Sequence, residues 1–498
     1  MLATAALLGV AFQPAQARAD DANSRELSLL TYQKPEPPHY LRVALEELAI
    51  FGGGLVQYQL DKTTNSRDWQ FNYDWPSFRA RLEGGAYSFD NNGFDTNFLF
   101  HPFSGTLYYS SARANHLSPF EAFAVAFGTS FLWEFFGEFR EKPSINDIVV
   151  TPVAGLAWGE TTTQLGAFFL RACPSTAHEL LGSTLAPFVA LHDALDGAER
   201  VHTDCEESAS AHRFRFALAA GEAWSEGVAP YATLGGSFQS EVMHLPDFGR
   251  SGVGFTTFAD GNVSRLVLDL SVARENVTDV RFVTQTVLAG IHYHNNVVHE
   301  RHVDRHEALF GLLVGAEYSR HRYDPSASSD RIFLLDLPAL TTRYYGRSRE
   351  LGWELSLDVG GSFGGADALA LPRAQRRGSS ALDLTSVAET QGYSHVAGIS
   401  ISPRLRLEVG PAELGLELRS DRLLAFRALD SGGMNPGELR TTPVSEFRRR
   451  GSLFVALGAP SPVRFLLNAN WIYRAGSVGD VHVTKNELSL STGVELAP

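Results

Sequence analysis

The chain has 498 residues, 44% of them hydrophobic and 20% charged, with 45 glycines and a formal charge of -14. That length holds two or three ordinary domains or one long barrel, and the acidic balance argues against nucleic acid as a partner, because phosphate binding needs a basic face. The two cysteines, Cys173 and Cys205, form no C-x-x-C pair, which argues against zinc; one disulfide and two unpaired thiols both stay open.

Residues 1–19 carry an apolar run from Leu2 to Phe12, then Ala17-Arg18-Ala19 ahead of Asp20-Asp21. This is the pattern of a secretory signal with its cleavage site. Residues 20–38, polar and with Pro35, Pro37 and Pro38, read as a flexible tether. From Tyr40 to Leu60 apolar residues recur at helical spacing, and Gly52-Gly53-Gly54 predicts a break or a very close packing there. A second helix is predicted over Trp75 to Leu82. A third covers Ser104 to Arg113, following Pro102. Ser118 reads as the N-cap and Pro119 as the first residue of a helix running from Phe120 to Phe139, and Pro143-Ser144 ends that region. No stretch supplies the roughly 20 uninterrupted apolar residues of a membrane-spanning helix.

After Glu160 the apolar period changes from helical to two. Leu405, Leu407 and Val409 alternate with Arg404, Arg406 and Glu408; Leu488, Leu490, Val494 and Leu496 alternate with Glu487, Ser489 and Glu495. Segments of about 10 residues, apolar on one face and polar on the other and separated by turn residues, are the signature of transmembrane β-strands. A β-sandwich alternates in the same way, but the many arginines and glutamates on the second face favour a polar barrel interior. The expected fold is therefore mainly β, α+β overall: a transmembrane antiparallel β-barrel of about 12 to 16 strands. Its boundaries are a helical module over 39–160, serving as plug or lying in the periplasm, and a barrel over 161–498 with one inserted helix near 178–195.

Asn97 to Glu160 gathers the densest set of ionisable groups in apolar surroundings: His101, Arg113, Glu134, Glu138, Asp147 and Glu160, among Asn97, Tyr108, Trp133 and Asn146. Glu134 and Glu138 are four apart, so their carboxylates share a helix face. With His101 or Arg113 alongside they could bind a metal or act as an acid–base pair. The structural alternative is an ion-pair cluster that locks helices to the barrel, with Arg113 as the partner for either glutamate. A second candidate is the strand pair His292 and His294, which point the same way and suit a metal ion only weakly against a plain lumen-facing reading. Arg448-Arg449-Arg450 is placed at a strand end or loop, where it could meet lipopolysaccharide phosphates. No G-x-S-x-G elbow, Walker loop, Rossmann fingerprint or H-E-x-x-H occurs, and no cofactor is implied.

In order along the chain stand Asn97, His101, Pro102, Gly105, Tyr108, Ala112 and Arg113; Ser130, Trp133, Glu134 and Glu138; Pro143, Ser144, Asn146 and Asp147; then Thr151, Gly155, Gly159 and Glu160. This succession resembles a Gram-negative envelope family known only as domain of unknown function 3943, whose acidic, asparagine-bearing lead-in is matched by Asp90 to Phe94. One departure is His116, where glycine is expected after Asn115. The resemblance implies an outer-membrane location and a helical module joined to a barrel, and it implies no reaction. Two expectations follow. The first is a non-enzymatic outer-membrane barrel, among outer-membrane lipid and lipopolysaccharide, engaged in envelope maintenance or in passage of a small solute or lipid. The second is a membrane-embedded hydrolase of lipid or lipopolysaccharide, using His101, Glu134 and Glu138.

Overall fold

The computed structural model describes residues 37–62, 71–83, 87–90, 92–197, 211–245, 248–249, 251–299, 303–377, 387–426, 443–458 and 462–497. The signal and nearly all of the tether lie outside them. Cys173 is disulfide-bonded, and Cys205 lies outside the described residues.

Thirteen strands form one antiparallel sheet: β1 (Ala211–Ser225), β2 (Tyr231–Met243), β3 (Gly252–Phe258), β4 (Val263–Ala273), β5 (Asn276–Val298), β6 (Val303–His321), β7 (Asp330–Ser348), β8 (Leu351–Asp367), β9 (Tyr393–Val409), β10 (Ala412–Ala425), β11 (Val444–Leu457), β12 (Val463–Val478) and β13 (Val481–Leu496). Pairing of β1 with β13 and of β5 with β6 closes the sheet on itself. β3 and β4 lie end to end along β5, so they make one interrupted stave, and the barrel has twelve. Closure removes the free edges that an open sheet of this size would expose.

Alternation fixes the two faces. Leu218, Leu270, Leu355, Ile399, Leu467 and Val494 point outward and are exposed, giving the apolar wall of a transmembrane barrel. The intervening positions fill the lumen with charge pairs that span strands far apart in the sheet. Arg213 meets Glu354 at 2.9 Å, Arg265 meets Glu417 at 2.6 Å, Arg419 meets Asp336 at 2.7 Å, and Arg450 meets Asp279 at 2.7 Å. A polar cavity of about 130 Å³ lies among Arg215, Asp269, Arg281, Glu417 and Asn468. The arginine run corrects one expectation. It sits inside β11, with Arg448 on Glu317 (2.9 Å) and Asp421 (2.7 Å) in the lumen, because a strand places alternate arginines on one face.

The helical module comprises α1 (Tyr40–Lys62), α2 (Trp75–Leu82), α3 (His101–Ala114), α4 (Pro119–Leu132), α5 (Ile145–Ala154), α6 (Glu160–Arg171), α7 (Thr176–Leu185) and α8 (Pro187–Asp196). α1 runs unbroken through its glycines, and a Cβ at Gly54 would stand 3.0 Å from the Trp133 ring, so close packing is the reason for that glycine. Ser118 caps α4 in a reciprocal box with Glu121. Short helices α9 (Leu371–Arg376) and α10 (Val387–Gln391) lie between β8 and β9. No helix of the described residues is long and apolar enough to cross a membrane.

The module is not a lumen plug: it packs on the outer wall. Phe214, Ser240, Leu266, Thr284, Ala316, Leu335, Phe363 and Ala397 are successive register partners across eight staves, and the module follows this row. At one end Leu165, Phe168 and Phe169 cover Phe214, Val242 and Leu266. In the middle Trp158 stands edge-on to Phe282 at 5.1 Å, and Thr161 shares a 2.8 Å hydrogen bond with Thr286. At the far end Phe98 lies among Phe333, Tyr393 and His395, over Gly365, where a Cβ would come within 2.1 Å of its ring. The lumen had no room for helices once the charges paired across it.

Two boundaries also move. The helices continue to Asp196 and the first strand starts at Ala211, so the module does not end at 160. The β-branched run Thr161-Thr162-Thr163 belongs to α6, whose residues are almost all buried between module and wall, and burial overrides propensity there. The helix expected near 178–195 is two helices, broken where Ala186 precedes Pro187.

Candidate functional site

Three π-helical turns interrupt the module's helices: Thr96–Phe100, Trp133–Gly137 and Gly155–Gly159. Each adjoins motif residues, and such turns recur at functional sites because they re-aim a side chain within a helix. The first presents His101 at the start of α3. The second turns Glu134 into the interior, where it is 0% exposed. Its backbone is held by Arg81, itself fully buried, which donates to the carbonyls of Glu134, Phe135 and Phe139. The third delivers Glu160 to the barrel wall.

A short backbone pairing assembles the rest. Ser88 donates to the Pro143 carbonyl (3.3 Å) and accepts from Ile145 N (2.9 Å), which sets Asp90 beside the start of α5. There Ser144 caps the helix, its Oγ accepting from Asp147 N at 3.2 Å and donating to Asn146 Oδ1 at 2.8 Å. Asn146 in turn accepts from Asp90 N (2.7 Å) and donates to Asp147 Oδ1 (2.8 Å). Glu134 Oε2 accepts from Ser144 N at 2.7 Å. Trp133 Nε1 donates to Glu138 Oε1 at 3.1 Å. His101 Nδ1 lies 3.8 Å from Asp147 Oδ1, and one donor atom from each of Asp90, His101 and Asp147 falls within 4.8 Å of the others.

The electrostatics are those of carboxylates gathered away from water. Burial pushes Asp90 and Asp147 each up to about 7, and Asp147 adds to the effect on Asp90. Glu134 and Glu138 are held well above the ordinary carboxylate range, first by burial, then by Glu138 and Asp147 acting on Glu134 and by Glu141 and Asp147 acting on Glu138. Burial lowers His101. Among the described residues Glu134, Glu138 and Asp90 have no ion-pair partner. An acidic centre of this kind can hold a proton, a metal ion or a cationic group.

The motif residues therefore divide. Asn97 belongs to the docking surface, donating to the Tyr393 hydroxyl at 2.8 Å. Tyr108 is buried, and burial together with Glu47 raises its hydroxyl above the ordinary tyrosine value. Arg113 does not meet Glu134 or Glu138. It grips Glu160 through Nε (2.7 Å) and Nη2 (3.0 Å) and reaches Asp260 at 3.2 Å, while Tyr109 donates to the same glutamate at 2.7 Å. This lock sits where the stave between β3 and β4 is interrupted. Gly261, at φ +68°, passes so close that a Cβ would stand 2.3 Å from Glu160 Oε1. His292 and His294 face the lumen, remote from the module, with His292 Nε2 at 3.3 Å from Glu307. Asp90 had signalled itself only as part of the acidic lead-in; Asp260 and Arg81 had no signal, since their partners are distant in sequence.

Residues 86–189 match the family model described as "Domain of unknown function (DUF3943)". No curated protein matches the chain. Among solved structures, OmpT, an outer membrane protein of Vibrio cholerae, is 8% identical over 59% of this chain and 99% of its own, with a TM-score of 0.21. The translocator domain of the autotransporter NalP from Neisseria meningitidis is 10% identical over 61% and 92%, TM-score 0.20. OprD of Pseudomonas aeruginosa is 8% identical over 57% and 95%, TM-score 0.17.

Proposed function

We propose that this protein is an outer-membrane barrel that serves as a membrane-fixed scaffold for its helical module, and that the module works on envelope lipid in the maintenance of that membrane. The observation that carries this reading is the placement of the module on the barrel's outer flank. There Phe100, Phe103, Phe127, Phe131, Leu132 and Phe136 are left exposed on the module, an apolar surface suited to acyl chains. His101, next to Phe100 and two residues before Phe103, leads from that surface to the acidic centre, its side chain 17% exposed. The paired charges of the lumen argue against solute passage, since a through-path would have to break several buried ion pairs. The hydrolase alternative draws on the same centre, with Glu134 and His101 in acid–base roles.

The test is a deletion strain complemented with the wild type, Glu134→Gln or Phe100→Asp/Phe103→Asp, read by envelope lipid composition and entry of a lipophilic dye. The reading predicts that only the wild type restores both, while all forms assemble and migrate heat-dependently on gels. Full complementation by both variants would overturn it, as would a steady ion conductance of the purified wild type in planar bilayers.

A further inference from the structure

The acidic centre has a feature that proton storage alone leaves unexplained: buried carboxylate oxygens with no hydrogen-bond donor. Glu134 Oε1 and Asp147 Oδ2 have no partner, although both residues are essentially excluded from solvent. Leaving a buried acceptor unmatched costs about 1–3 kcal/mol each, and no neighbouring donor reaches these two oxygens. Ser144 N is taken by Glu134 Oε2 and Asn146 Nδ2 by Asp147 Oδ1, while the two Arg81 Nη atoms serve three backbone carbonyls and its Nε meets no acceptor.

The donor set has a definite chemistry. It combines one imidazole with two aspartates on three separate elements: Asp90 after the Ser88 pairing, His101 at the start of α3, and Asp147 in the first turn of α5. Their donor atoms lie within 4.8 Å of one another. One ion at about 2.0–2.4 Å from each can bridge that spacing with side-chain shifts of a few tenths of an ångström. Outer contacts hold the ligands in place, as metal sites require. Asn146 ties Asp90 to Asp147, and Asn92 N donates to Asp90 Oδ1 at 3.0 Å.

We propose that Asp90, His101 and Asp147 bind one divalent cation of the zinc or manganese kind, with the Glu134 carboxyl close by. The mixed nitrogen and carboxylate donors select that class over thiophilic ions, because no sulfur is present, and over magnesium, which favours oxygen alone. The site draws the three elements together and leaves the His101 side as its opening. This inference is independent of the lipid reading, since ion binding is measured in detergent with no lipid substrate.

The experiment uses the full-length protein in detergent, stripped with chelator and titrated with zinc or manganese chloride, with bound metal counted by mass spectrometry. One ion per chain with a dissociation constant in the micromolar range or tighter is expected. Asp90→Asn and His101→Gln should each weaken binding at least tenfold, and His292→Gln in the lumen should leave it unchanged. Heat-dependent gel migration checks the barrel, and protease resistance of the helices checks the module. The proposal is overturned if no stoichiometric ion is held, if both site variants bind as the wild type does, or if His292→Gln is the change that abolishes binding.

Discussion

Replacing Glu160 with glutamine removes the charge from the Arg113–Glu160 pair, which ties α3 to α6 against the barrel wall, while keeping its size. Arg113 then loses the carboxylate that accepts two of its hydrogen bonds, with its side chain only 3% exposed. Breaking a buried pair by neutralising one partner costs about 3–5 kcal/mol. Asp260 stays at 3.2 Å, but its side chain is 36% exposed, so it offsets part of the loss, and about 3 kcal/mol is the expected cost. At 1.4 kcal/mol per tenfold, the population with the module opened at this pair rises roughly 100-fold. The assay is limited proteolysis, with cleavage of the helices followed in parallel with heat-dependent migration of the barrel; such cleavage tracks the open population when closing is fast. The wild-type module should resist, and Glu160→Gln should be cut about two orders of magnitude faster while the barrel persists. Arg113→Met combined with Glu160→Leu should recover most of the resistance, since apolar replacement of a whole buried pair is close to neutral. Equal cleavage of Glu160→Gln and wild type would refute the assignment of Arg113–Glu160 as the pair that holds α3 to α6 at the wall, as would loss of the barrel ahead of the module.

Other expectations are local. Phe98→Ala should destabilise docking by about 3–5 kcal/mol through the cavity left among Phe333, Tyr393 and His395, and Gly365→Val should do the same from the barrel side; the same proteolysis reads both. Glu47, which accepts from Thr129 at 2.9 Å, is raised by burial to about 8. The folded state therefore keeps a proton that the unfolded state releases near the ordinary carboxylate value, and stability falls as pH rises from about 4.5 to 8. Glu47→Gln should match the wild type at pH 4 and exceed it by on the order of 5 kcal/mol at pH 9, measured by thermal unfolding of the module; a constant difference across that range would contradict the burial of its charge. In the lumen, Arg419→Ser with Arg448→Ser should strip Asp336 and Asp421 of their arginines, leave Glu317 with Arg281 alone, and produce a cation-selective conductance that the wild type lacks.

Features carried by local pattern were legible in the sequence. The α2 helix, the Ser118 cap and the alternation of Arg404 to Val409 depend on neighbours within a few positions. What was not legible depended on distant partners. Arg448 looked like a surface charge because Glu317, 131 positions away, is what draws it inward. Arg113 and Glu134 looked like natural partners by proximity in the chain, but the π turns aim Glu134 toward Ser144 and Glu160 toward Arg113. The threonine run in α6 carries a strand-like composition, and only the wall it packs against makes it helical. Placement of the module inside or outside the barrel likewise turned on whether the lumen charges pair with one another, a property of the closed sheet.

Ser240, Ser264, Thr284, Thr286 and His395 point outward on the barrel wall yet are fully or almost fully buried, because the helices cover them. On a bare barrel these groups would meet hydrocarbon, where unmatched polar groups are costly. The wall beneath the module is therefore not lipid-compatible on its own, whereas β10 to β13 present an apolar surface without that cover. Biogenesis inherits an order from this asymmetry: the staves from β10 to β13 can enter the bilayer unaided, and the staves under the module can do so only with the helices already seated on them.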